Sequence, residues 1–78
     1  MSQNRVVVWW DSELEKEQWR VELQQQNSEG LYEATQMSGD AGFPVKVAEF
    51  GPLEEDLLIQ CIKANFPGVR ICLRVYAW

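Results

Sequence analysis

The stretch GPLEEDLLIQCIKANFPGVRICLRVYAW, residues 51–78, holds a helix start, a helix stop and a strand in succession. Pro52 stands where the first turn of a helix tolerates a missing N–H, and Glu54, Glu55 and Asp56 complement the positive end of the helix dipole. Leu57, Leu58, Cys61 and Ile62 recur at helical spacing, which predicts a helix over 52–65 packed through those four side chains. Pro67-Gly68 ends it. Val69, Ile71, Leu73 and Val75 then alternate with Arg70, Cys72, Arg74 and Tyr76, the period of a half-buried strand over 69–76.

Working back from there, Val45, Val47 and Phe50 suggest a short strand, and Ser38-Gly39-Asp40-Ala41-Gly42 a flexible loop. Trp19, Val21 and Leu23 alternate with Arg20, Glu22 and Gln24, so a strand is expected over 18–25. Asn27-Ser28-Glu29-Gly30 carries turn chemistry, and residues 31–37 can return antiparallel as a hairpin. Residues 5–10 are rich in β-branched and aromatic side chains and read as the first strand. The expected architecture is α+β: an antiparallel sheet of four to five strands, order ββββαβ, with one helix on one face. The competing order is ferredoxin-like βαββαβ, with a helix over 12–26 begun by a capping box at Ser12 and Glu15. A helix there would put Leu14 and Val21 on one side and Trp19 and Leu23 on nearly the opposite side, whereas strand period gathers Trp19, Val21 and Leu23. The hairpin is therefore favoured.

The 78 residues are expected to form one domain, with neither an internal repeat nor a linker. Twelve carboxylates against seven Lys and Arg give a net charge of −5, which disfavours bulk attraction to nucleic acid or to an anionic membrane. Residues 6–10 are too short an apolar run for a signal peptide or a membrane span, so a cytoplasmic protein is expected. Cys61 and Cys72 are too few for a disulfide scaffold. Cys61 belongs to the helix stripe and Cys72 is out of phase with the apolar positions of the last strand, so the two should lie on different sides of the sheet and stay reduced.

The chain has no histidine. That removes the commonest general base near neutral pH and the commonest metal ligand. Neither phosphate-binding glycine motif is present, and Gly39-Asp40-Ala41-Gly42 opens no helix directly after it. A non-enzymatic protein without catalytic residue, metal or cofactor is expected. The size and acidity are similar to those of small inhibitor proteins as a class, such as phage-encoded anti-defence proteins, immunity proteins and antitoxins. That similarity is compositional and carries no residue across.

Two surfaces remain as candidates for binding another macromolecule. The first is the acidic run Asp11, Glu13, Glu15 and Glu17 with Trp9, Trp10 and Trp78. It suits an inhibitor or adaptor that occludes a basic site on a protein partner, with charge setting the association rate and aromatics the residence time. Trp9 and Trp10 are neighbours on a strand and cannot both enter one core face. The second is Arg70, Arg74 and Tyr76 on one face of the last strand, joined by Arg20 if it lies there too. Sheet-face arginines and aromatics hold single-stranded RNA in other folds. Here cross-strand Arg–Glu pairs are the plainer expectation, and nucleic acid is the less favoured ligand. A homo-oligomer or a structural subunit of a complex is the remaining alternative.

Overall fold

The computed structural model describes residues 4–12 and 17–74. Strands β1 (Asn4–Asp11), β2 (Gln18–Gln26) and β3 (Tyr32–Met37) form an antiparallel meander; helix α1 (Glu55–Asn65) follows, and β4 (Arg70–Leu73) completes the sheet. The spatial order is β3-β2-β1-β4, with β4 parallel to β1. The α+β class and the single helix against a four-stranded sheet are as expected, but the sheet is mixed rather than antiparallel. β3 runs the same way as β1, and the segment 38–69 carries the chain back before β4 begins, so β4 must run with both. Residues 18–26 are strand, which excludes the helix of the ferredoxin-like alternative.

The strand expected near residue 45 is instead a 3-10 turn, Val47–Glu49. Val45 and Val47 are both buried, as their alternation implies, yet the chain turns on itself through Glu49 N–H to Lys46 O (3.2 Å) and Phe50 N–H to Val47 O (3.1 Å). The segment lies on the helix side of the sheet near β2 and caps the core there.

The hairpin between β2 and β3 is closed by Asn27, whose Oδ1 accepts from the N–H groups of Glu29 and Leu31 at 2.9 and 3.0 Å. Further on, a bulge shifts the β2–β3 register between Leu23 and Gln24, and the Thr35 hydroxyl donates to Leu23 O at 3.2 Å. The pairing ends at Ser38, whose N–H donates to Val21 O at 2.8 Å while its hydroxyl accepts from Val21 N–H at 3.0 Å. Both sites are buried. Ser38→Ala removes the only acceptor shown for a buried N–H and should cost about 1–3 kcal/mol in urea unfolding. A variant indistinguishable from the parent would show that water replaces the hydroxyl.

The helix is shorter than its sequence suggests. Gly51 to Glu54 form a separate turn, with Glu54 N–H to Gly51 O at 3.1 Å and the Glu54 carboxylate accepting from Gly51 N–H at 2.8 Å. Glu55 and Asp56 occupy the first helical turn and Lys63 the last, each on the favourable side of the dipole. Gly68, at φ 78°, supplies the left-handed residue that turns the chain into β4. Leu58 and Ile62 are fully buried and Cys61 packs beside them, whereas Leu57 is 51% exposed and does not belong to the core stripe. Leu58 and Ile62 meet Val6 and Val8 from β1, Trp19 and Val21 from β2, and the two valines of the capping turn. No helix among the described residues is long and apolar enough to cross a membrane.

Candidate functional site

Strand alternation divides the sheet into two unlike faces. Val6, Val8 and Trp10 of β1 point to the helix, with Trp19, Val21 and Leu23 in register on β2 and Ile71 and Leu73 on β4. The opposite face then carries Arg5, Val7, Trp9 and Asp11 from β1, Arg20, Glu22 and Gln24 from β2, and Arg70, Cys72 and Arg74 from β4 and its end. β3 adds Tyr32 and Met37. All four arginines of the chain therefore lie on one side of the sheet, and the lysines described, Lys46 and Lys63, lie elsewhere. Among the described residues this face sets four arginines against two carboxylates, Asp11 and Glu22. It is a patch of +2 in a chain of −5, so the rest of the chain carries −7.

The arginines are held in different ways. Arg5 donates from Nε to Gln24 Oε1 at 2.6 Å, and Gln24 in turn donates to Glu22 Oε2 at 2.5 Å. Its guanidinium sits 3.7 Å above the centre of the Tyr32 ring. Arg74 lies 4.9 Å from the centre of the Trp9 ring. Each stacked guanidinium keeps its N–H edge available for an acceptor. Arg20 donates from Nη2 to the Met37 sulfur at 3.6 Å, and its Nε–H is buried without an acceptor. Thioether sulfur is a weak acceptor, so Arg20 is poorly satisfied. Arg70 is exposed and stands beside Arg5 in the β1–β4 register. No direct cross-strand Arg–Glu pair is formed among the described residues; Arg5 reaches Glu22 through Gln24.

Of the other residues singled out, Trp9 and Trp10 part to opposite faces as alternation requires. Trp10 packs edge-on against Trp19 at 5.4 Å and 80°, which makes it part of the helix side. Trp9 is only 7% exposed and lies beneath Arg74, so its ring is a support for a guanidinium rather than a bare contact surface. Asp11 ends β1 on the arginine side, and Glu17 is exposed just before β2. Glu13, Glu15, Tyr76 and Trp78 lie outside the described residues. The acidic run is thus not shown as one surface, while Arg70, Arg74 and Arg20 are brought together. Arg5, Gln24 and Tyr32 join them. Three successive valines, Val6 to Val8, mask the phase of β1, so Arg5 is assigned to this face only once the register is known.

Cys61 and Cys72 are free thiols on opposite sides of the sheet. No group of three metal-ligating side chains converges among the described residues. An open depression of about 410 Å³ lies between the 38–49 segment and Gln18, with Lys46, Asp40 and Glu49 at its rim. Asp40 Oδ2 already accepts from Met37 N–H at 2.9 Å and closes the turn there. Among the described residues the arginine face is the more strongly charged surface and is taken as the candidate site. The chain matches no family model, no curated protein and no solved structure.

Proposed function

We propose that this is a non-enzymatic, cytoplasmic binding module whose contact surface is the arginine face of the sheet and whose partner is anionic. The observation that carries the reading is the gathering of all four arginines on one face of an acid-rich chain, with no direct Arg–Glu pair among the described residues. Gathering like charges on one face of a sheet is unfavourable, although Arg5 turns across β2 to Tyr32 and away from Arg70. An unsatisfied guanidinium N–H adds to that cost. Anionic oxygens from a partner would offset the gathered charge at the exposed guanidiniums, with bidentate geometry available there.

A second reading is the acidic inhibitor or adaptor that meets a basic protein. It is supported by the charge of −7 outside the arginine face and by the exposure of Glu17, Glu54 and Asp56. One titration separates the two. Labelled polyglutamate, oligothymidylate and polylysine are each followed by fluorescence anisotropy at low and high salt. The arginine-face reading expects at least one of the two polyanions to bind. Arg70→Gln with Arg74→Gln should weaken that binding tenfold or more and flatten its salt dependence. Thermal stability should be equal or slightly raised, because repulsion is relieved. Binding of polylysine alone would overturn the arginine face in favour of the acidic surface.

A further inference from the structure

From the free edge of β4 we infer that the anionic partner is an extended protein segment of alternating acidic and apolar residues, added to the sheet as a fifth strand. The inference rests on the arginine-face reading and names the partner that face would take.

The backbone of β4 supplies the first argument. Arg74 N–H donates to Val8 O at 2.9 Å, so it points toward β1. N–H and C=O directions alternate along a strand, so Arg70 and Cys72 also point to β1. Ile71 and Leu73 then present their N–H and C=O groups to the outer edge. Among the described residues no strand covers that edge and no further hydrogen bond to either residue is shown. The opposite edge, β3, is bulged at Thr35, the usual device for blunting an edge, whereas β4 pairs with β1 in unbroken register.

Side chains supply the second argument. An added strand would alternate between the two faces. Positions on the arginine side would meet Arg70 and Arg74, both exposed, at the right separation for carboxylates two or four residues apart in an extended chain. Positions on the helix side would meet Leu73, which is 50% exposed. The partner's pattern is therefore acidic on one side and apolar on the other, with main-chain bonds to Ile71 and Leu73.

Two other occupants fit less well. A second copy pairing β4 to β4 would set arginines against arginines. Single-stranded nucleic acid needs exposed rings for its bases, but Trp9 is buried under Arg74 and Tyr32 is covered by Arg5.

The test uses the whole chain and a labelled, end-blocked peptide of four Glu-Val repeats. The controls are a Glu-Glu-Val-Val peptide of the same composition, four Lys-Val repeats and oligothymidylate. The Glu-Val peptide should bind at least tenfold more tightly than any control, and Arg70→Glu with Arg74→Glu should abolish the difference. In the parent chain, amide exchange followed by NMR should slow tenfold or more at Ile71 and Leu73 when the peptide is added, with little change at Cys72, which is already paired. Peptide binding without that protection would overturn strand addition. Binding of oligothymidylate alone would also overturn it, yet leave the anionic-partner reading standing. Failure of every acidic probe would remove both. Sedimentation showing a dimer held through β4 would replace the peptide with a second copy and likewise overturn the inference.

Discussion

Ile62→Ala and Leu58→Ala should each cost about 2–5 kcal/mol, while Leu57→Ala should cost less than about 1 kcal/mol. The first two side chains are fully buried and the third is half exposed. A chain of this length has about 4–12 kcal/mol in total to lose, so either core truncation should lower the urea midpoint by a large fraction. The reason lies in how little the helix contributes to the core. Two residues one turn apart, Leu58 and Ile62, form its fully buried contact with the valines of β1 and β2, and Cys61 only flanks them. A cavity at either position removes half of that contact, and an 11-residue helix cannot persist alone in water. Equal costs at 57 and 58 would mean that the helix sits rotated by about half a residue, about 50°, from the orientation described, and reversed costs a full residue.

That contrast also marks what could be learned from sequence. The alternation of Val69 to Arg74 and the Pro67-Gly68 stop locate β4, because both are local signals: a side-chain period and a residue free to take positive φ. The helix face was legible only in part. Leu57 and Leu58 are equally apolar, and nothing local says that the sheet lies under one and not the other. Val45 and Val47 show the same limit from the other side. Their alternation correctly marks burial, but a strand also needs a neighbour for its backbone, and this segment lies on the sheet's face instead of its edge.

The direction of β4 depends on long-range topology: two antiparallel steps and one return leave the last strand parallel to the first, while its local alternation would be the same in either direction. The candidate site followed the same rule. Arg70 and Arg74 are assigned together by their own alternation, but Arg5 and Arg20 join them only through the cross-strand register. Tyr32 enters through a bulged pairing that no local pattern announces. The acidic run stands out in the sequence because its four charges fall within seven residues, whereas the basic face is assembled from three separate strands.

Trp19 ties the sheet to the turn that leads into the helix, and Trp19→Ala should cost about 3–5 kcal/mol. Its ring is 6% exposed and does three things. It fills the core beside Val21, it packs edge-on against Trp10 at 5.4 Å, and its Nε1–H donates to Gly51 O at 2.7 Å. The last contact ties β2 to the turn that precedes α1, so it fixes where the helix begins relative to the sheet. These contributions can be separated. Trp19→Phe keeps a ring in the core and loses the donor, and should cost about 1–2 kcal/mol, with the hydrogen bond as the main loss. A double-mutant cycle of Trp19→Ala with Trp10→Ala should give a coupling of about 0.5–1.5 kcal/mol for the aromatic pair. The three values order the roles: area first, the ring pair and the hydrogen bond after it. Trp19→Phe as damaging as Trp19→Ala would reverse that order and make the Gly51 contact the main anchor of the helix. Trp19→Ala within about 1 kcal/mol of the parent would show that the turn at Gly51 is held by the Glu54 carboxylate and the buried helix residues alone.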